Sequence, residues 1–514
     1  MSLHLSKKSI LKKTAQVSIL TLMSRLLGIV REFLMVRFLG VGAISDAFVA
    51  AFKFPNFFRH IFAEGALGAS FVPAIVKTVR EGNREEANGL MSIAFIFFEG
   101  LVILLYAFVL WKPEWVLFVL APGFSLEQTA YAIPFLRILF SFLFFISSSA
   151  LLAGALNSVN HFFVPAFGTP LWNIIYIATL LICLAYNLSA TYLCVGIILG
   201  AFALFVMHLI AFFRFNFRFG AITPAAKAIF RSVLSKFLPC LFGVSVVEIN
   251  LFVSTSIGSC LPKGSMTLLH YGSRFMNIPL GMFAVALSSV MLPHFSRLVL
   301  YAPRRLNFYL LEVVKFVTWI ILPTALFLML VSNELFTMLL GSKGTPEQIV
   351  QGGWILLFYC TGLLFLCTNK ILLSMFYALK DTIATTIAAA ICASVNITLD
   401  LISLKYFGVL GIAMSNTISS LVMSVVALTF LYKRHNILFY WRLYIRFLAW
   451  YVLQVGIGCI IFWLGLIGLQ NIFGSAILHG LGFWLATSML AALIMMLMFV
   501  TRNMFRIRMY FLRK

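Results

Sequence analysis

Fourteen long apolar runs, separated by short loops, constrain this chain more than any other feature. They fall near 15–39, 46–76, 88–111, 128–156, 163–185, 191–213, 237–259, 266–296, 308–332, 352–379, 383–404, 408–432, 447–469 and 475–501. A helix needs about 20 apolar residues to cross a bilayer, and backbone inside lipid must satisfy its own hydrogen bonds. Runs of this length and number predict an all-α polytopic membrane protein with about 14 transmembrane helices. Composition excludes the alternatives: 62% of residues are hydrophobic and 10% charged, against about 45–50% and about 25% in soluble domains. A soluble enzyme, a secreted domain or a disordered scaffold cannot be built from that stock.

The formal charge of +23 invites a nucleic-acid reading, and its placement argues against one. Twenty-five Lys and Arg lie in loops joined through an even number of spans, beginning with Lys7, Lys8, Lys12 and Lys13 and ending with Arg513 and Lys514. The opposite loops hold four: Lys112, Lys263, Lys343 and Lys405. That bias places both termini in the cytoplasm, so the excess charge labels topology and attracts anionic lipid. No small-residue cleavage site follows the first lysines, which reads as an uncleaved first span. The eight cysteines form no CxxC pair and no His-flanked cluster, so they read as buried thiols without redox or zinc chemistry.

The chain repeats itself at an offset of about 223–224 residues. Ala155-Leu156 returns as Ala378-Leu379, Asn173-Ile174 as Asn396-Ile397, and Pro55 and Pro73 find Pro279 and Pro293. Six spans per copy give both copies the same orientation. The expected organisation is therefore an N-lobe over 1–221, a C-lobe over 222–436 related to it by a pseudo-twofold, and a C-terminal helix pair with basic tail over 437–514. Parallel repeats around a central cavity are a transporter architecture. Residues 447–501 contain no Asp, Glu, Lys or Arg. That hairpin is either a lipid-facing appendage or one wall of a groove for an acyl or prenyl chain.

Charges inside the spans carry the functional signal. Nine basic residues lie there: Arg25, Arg31, Arg37, Lys53, Arg59, Arg137, Arg274, Lys315 and Lys370. Each costs about 2.5–3.5 kcal/mol at a helix centre, so the protein must supply an aqueous cavity. At 100° per residue, Ser24, Arg25, Gly28, Arg31 and Glu32 share one sector of the first helix. Asp46, Lys53, Asn56, His60 and Glu64 share another on the second, whose phase Pro55 will disturb. Internal ion pairs such as Arg25 with Asp46 are the structural alternative, but the local acids are too few to neutralise Arg31, Arg59 and Arg274. Surplus cationic charge in a membrane cavity calls for an anion, and several forked guanidiniums suit a pyrophosphate.

No GxxxxGK[ST] nucleotide loop is present. A membrane potential, worth about 2.3 kcal/mol per charge per 100 mV, would drive a diphosphate outward. No cofactor is expected beyond a coupling ion, Na+ or H+, for which Asn396, Asp400 and Thr417 are the candidate oxygen ligands. Asp400 could equally be a structural hydrogen-bond acceptor.

The run SRLLGIVRE (Ser24 to Glu32) and the run SDAFVAAFKFPNFFRHIFAEGALGASFVP (Ser45 to Pro73) resemble the MurJ/MviN family of bacterial lipid II flippases. That family lies in the superfamily of multidrug and polysaccharide exporters. The resemblance continues through Pro122 to Phe124, Ala155 to Ile174, Gly243 to Val246 and Arg274 to Gly281. It implies two six-helix lobes plus a pair grooving the lipid tail. It also implies alternating access that carries lipid II, the undecaprenyl-diphosphate-linked disaccharide-pentapeptide, to the periplasmic leaflet of the bacterial inner membrane. The family's cavity residues correspond to Arg25, Arg31, Asp46, Arg59 and Arg274, with Glu32 where relatives carry Asp. Many relatives place a glutamate where this chain has Asn277. Glu248, at a position usually filled by an amide, is the candidate replacement.

Two other functions compete with this reading. A drug or cation exporter of the same superfamily predicts a cavity rich in carboxylates and aromatics, whereas the first repeat here is rich in arginine. A membrane glycosyltransferase needs catalytic carboxylates and a large external loop. Residues 112–127 and 333–351 offer only Glu114, Glu127, Glu334 and Glu347, at no acid/base spacing. The expectation is a transporter rather than an enzyme, acting as a monomer among membrane lipids.

Overall fold

The computed structural model describes residues 7–60, 67–473, 481–505, 507 and 509, and the described residues form helices and connecting turns without strands. Eleven of these helical segments are long and apolar enough to cross a membrane. They match the expected crossings from Arg84–Trp111 to Ala190–Arg214, and from Ser265–Tyr301 to Gly482–Thr501. The other three expected crossings are helical but carry charge along their length. They are α1 (Lys7–Leu39), α2 (Ala43–Arg59) with α3 (Leu67–Arg80), and α10 (Pro224–Gly258).

The chain divides into two compact units, residues 1–264 and 265–514. The first comprises α1 to α3, then α4 (Arg84–Trp111), α5 (Pro113–Leu120), α6 (Leu126–Leu139), α7 (Phe142–Ser158), α8 (Phe163–Ala185), α9 (Ala190–Arg214) and α10. The repeat boundary near 221 separates α10 from these helices in sequence; packing joins it to them. Phe71, Met91, Phe98, Leu151, Phe212, Val233 and Phe237 share one buried cluster drawn from α3, α4, α7, α9 and α10. Within it the Phe98 and Phe237 rings meet edge-on at 5.1 Å, a geometry the ring quadrupoles favour.

The second unit holds α11 (Ser265–Pro279), a π-helical turn (Leu280–Ala284), α12 (Val285–Tyr301), α13 (Leu306–Leu330) and α14 (Ser332–Leu340). It continues through α15 (Pro346–Ala378), α16 (Thr382–Tyr406), α17 (Gly408–His435), α18 (Trp441–Phe473) and α19 (Leu481–Thr501). The long helix α15 is its hub, packing against α11, α12, α13, α14 and α17.

The helix order of the first copy recurs in the second, down to helix-start chemistry. Helix α6 opens with Ser125 and Gln128, each side chain bonding the other's backbone N–H. Helix α15 opens with Thr345 and Gln348 in the same reciprocal arrangement, which satisfies two otherwise orphaned donors. The interruptions differ. The first copy breaks between α6 and α7, whereas α15 runs through. Pro55 lies inside α2, which continues to Arg59, so the proline does not end the helix despite its missing N–H. In the second copy Pro279 is followed at once by the π-turn, a distortion that recurs at functional positions.

Candidate functional site

Arg31 of α1 is held by α8 and by its neighbour Glu32. Its Nη1 donates to Asn173 Oδ1 on α8 at 2.9 Å, and its Nη2 pairs with Glu32 Oε1 at 2.7 Å. The guanidinium lies over the Trp172 and Tyr176 rings, 5.2 and 5.1 Å from their centroids, where the ring quadrupole attracts a cation. Asn173 also donates to the carbonyl and hydroxyl of Ser24, at 3.3 and 3.2 Å. Of the sector expected to hold Ser24, Arg25, Gly28, Arg31 and Glu32, Ser24 and Arg31 meet α8 through Asn173 and Glu32 meets Arg31. The sequence underrated the local acid, because Glu32 meets the Arg31 charge directly. Arg25, on the same helix, is exposed and pairs with no carboxylate among the described residues.

On α2, the polar residues face α10 and the turn after it. Asp46, 1% exposed, accepts from the Gly264 N–H at 2.6 Å and from Gln128 Nε2 at 3.3 Å. Both of these donors are neutral, and the Arg25–Asp46 pair is not formed. Lys53 donates to the Thr255 hydroxyl. Arg59 Nε donates to Asn56 Oδ1 at 3.0 Å, and its Nη2 contacts His60 Nε2. His60 Nδ1 meets Glu248 Oε1 at 3.0 Å. This arrangement takes the tautomer with the proton on Nδ1 and makes a continuous line from Arg59 through His60 to Glu248. Glu64 lies outside the described residues.

The second unit places Arg274 on α11, exposed, with its Nε 3.4 Å from His270 Nε2 one turn earlier. Asn277 is exposed and bonds its own helix at Ser273. The candidate cation ligands fall on α16 and α17. Asn396 and Asp400 are one turn apart and buried, at 4% and 0% exposure. Thr417 donates to Phe358 O on α15 at 2.9 Å and adjoins the Thr361 hydroxyl. Oxygen donors of this kind suit a hard cation.

The sequence missed Asn173, Trp172, Thr255 and Gln128 as partners. Asn173 had a signal, since it marks the internal repeat with Asn396; the others are neutral side chains that only tertiary contact reveals.

A family model described as "Lipid II flippase MurJ" matches residues 35–482. A probable lipid II flippase MurJ of Rhizobium meliloti is 33% identical over 432 residues, covering 80% of this chain and 79% of its own length. That of Vibrio cholerae is 30% identical over 435 residues, covering 80% and 81%. Among solved structures, a lipid II flippase MurJ in an inward closed conformation superposes with a TM-score of 0.79 at 26% identity, over 95% of this chain and 99% of that one. An inward-facing multidrug resistance MATE family transporter shares the fold, with a TM-score of 0.69 at 17% identity.

Proposed function

The chain belongs to the lipid II flippase MurJ family, and from that footing we propose that it carries lipid II from the cytoplasmic to the periplasmic leaflet of the bacterial inner membrane. The observation that carries this reading is the cationic charge that the first unit holds inside its spans. Arg25 and Arg31 lie on α1 and Lys53 and Arg59 on α2, and the buried acid Asp46 is met by Gly264 and Gln128. A doubly negative diphosphate suits that charge, and Arg274 of the second unit offers the same chemistry.

Arg31 is poised for exchange. Its fork holds a carboxylate oxygen from Glu32, and a phosphate oxygen would take the same place with the same charge-assisted geometry. Swapping one anion for another costs far less than stripping a hydrated guanidinium. Asn173 and the two aromatic rings would hold the group in place during the swap.

In this proposal the protein alternates access as a monomer with both termini cytoplasmic, and the charge-free stretch 447–501, which takes in most of α18 and all of α19, accepts the polyprenyl tail. Transport draws on the membrane potential or on an ion gradient. Asn396, Asp400 and Thr417 would hold a coupling Na+ or H+, whose charge would neutralise the Asp400 carboxylate. Depletion of the protein followed by a leaflet-resolved assay of lipid-linked disaccharide tests the function: accumulation on the cytoplasmic face supports it, and an unchanged distribution refutes it.

A further inference from the structure

One carboxylate of the first unit takes no part in the site described above. Glu99 sits in the middle of α4 and is 3% exposed. It faces Ser147 and Ser148 of α7, which are 1% and 0% exposed. Ser147 Oγ donates to Glu99 Oε1 at 2.7 Å, and the Ser148 hydroxyl bears on the same carboxyl. Two buried oxygens of this group, Glu99 Oε2 and Ser148 Oγ, have no hydrogen-bond partner among the described residues.

Among the described residues no Lys, Arg or His pairs with Glu99. The helices packed against α4 are α3, α5, α6, α7 and α10. Helix α7 has no titratable side chain. On the other four the charged groups are Lys77 and Arg80 of α3, Glu114 of α5, Glu127 and Arg137 of α6, and Lys227, Arg231, Lys236 and Glu248 of α10; Lys77, Glu127 and Glu248 pair with Glu81, Lys263 and His60, and none of the nine pairs with Glu99. Among the described residues, the polar groups that bear on the carboxyl are the hydroxyls of Ser147 and Ser148. A lone carboxylate buried in a span is expensive unless something positive neutralises it. The unsatisfied oxygens are where that charge would sit.

We propose that Glu99, Ser147 and Ser148 form a binding site for one monovalent cation, a proton or a sodium ion, at the α4–α7 interface. A proton on Oε2 would donate to Ser148 Oγ. A sodium ion would take Oε2 and the same hydroxyl oxygen as ligands. Either satisfies both orphaned atoms and removes the net charge. No bond other than this reversible association forms or breaks. Ion binding stands on the geometry alone; a link between occupancy and transport rests on the flippase reading.

The test uses the full-length purified protein without lipid substrate. Thermal stability is followed as NaCl replaces choline chloride at fixed pH, and as pH is lowered without sodium. Wild type is expected to show a saturable midpoint in one of the two titrations, which identifies the ion. Glu99→Gln removes the charge at nearly constant shape and should shift that midpoint at least about tenfold or abolish it. Glu99→Asp should retain the response with a weakened midpoint. Asp400→Asn, made alongside, should leave the Glu99 response in place, so the two candidate ion sites read separately. If Glu99→Gln does not fold, Ser148→Ala measured by radioactive sodium uptake and by proton release decides in its place. Wild-type midpoints for both ions in these variants would overturn the proposal, even if lipid flipping is confirmed.

Discussion

His60 and Glu248 are 188 residues apart in the chain and meet at 3.0 Å between α2 and α10. They form the last rung of a series. Asp46, Lys53 and His60 recur every seventh residue, about two helical turns, and their partners are Gly264, Thr255 and Glu248 in descending order. A rising series on one helix matched to a falling series along α10 and the turn after it means antiparallel helices tied at regular intervals. Neutral and ionic rungs alternate with apolar contacts, so the seam has a defined register.

The final rung should therefore behave as a coupled pair. Glu248→Gln and His60→Ala should each lower the unfolding midpoint, and the double variant should cost about 1–2 kcal/mol less than the sum. A double-mutant cycle by thermal unfolding measures this. Glu248→Gln should also reduce lipid II flipping more than a near-isosteric change would, and unchanged flipping would remove Glu248 from the working site.

Arg31 depends on geometry as well as charge. Lysine could keep the Glu32 contact but would give up the second fork bond to Asn173 and the flat contact with Trp172 and Tyr176. Arg31→Lys should impair flipping strongly, and Asn173→Ala should destabilise the α1–α8 contact by about 1–2 kcal/mol. Arg31→Ala and Arg274→Ala should abolish flipping while membrane insertion remains normal. Leaflet assays and quantification of membrane-inserted protein separate the two effects.

Particular residues show how far the sequence could be read. The 3.6-residue period grouped Ser24, Arg25, Gly28, Arg31 and Glu32; α1 is helical without interruption and contains no proline, and it brings Ser24 and Arg31 together at Asn173 while Arg25 is exposed. The same period put Asp46, Lys53 and His60 together, since α2 continues through Pro55. Partners followed a different rule. Asp46 chose the Gly264 N–H, which carries no side-chain signal at all, and Lys53 chose a threonine 202 residues away. Periodicity reports which face is polar; it does not report what that face meets. The packing of α10 with the first unit was hidden likewise, because it depends on phenylalanine contacts shared among five helices and not on the repeat.

Gly123, in the Pro122 to Phe124 turn, predicts a steric effect. A Cβ there would lie 2.4 Å from Cys260 Cα and 2.6 Å from both Cys260 N and Ser259 O. These are backbone atoms, so no rotamer change relieves the clash, and the Gly123 N–H bond to Ser259 Oγ would be lost as the turn moves. Gly123→Ala should destabilise the first unit by about 3 kcal/mol, the upper end of overpacking costs. Its unfolding midpoint in detergent, compared with Ala substitution at the open position Gly100, provides the measurement.

Asp381, just before α16, predicts a pH effect whose sign can be worked through. Its carboxylate caps the helix by accepting from the Ala384 N–H at 3.0 Å and accepts from His435 Nε2 at 2.9 Å and from Arg434. Burial alone would raise its pKa, but the Ala384 N–H, His435 and Arg434 together hold it below the ordinary carboxylate value. A depressed folded-state pKa means the unfolded chain takes up the proton first. The stabilisation is then fully present above the unfolded pKa of about 3.9 and disappears as pH falls from there through the lower folded value. Asp381→Asn retains a good cap but loses the ionic part, so its deficit against wild type should be constant near neutral pH and should close as the pH drops below about 4. Asp381→Ala loses the cap as well and should cost about 1 kcal/mol more at every pH, since the helix-start N–H is then left to solvent whatever the protonation state. Unfolding midpoints of the three proteins across that acid range decide the matter: a deficit for Asp381→Asn that persists below the folded-state pKa would show that shape rather than charge ties α16 to the end of α17.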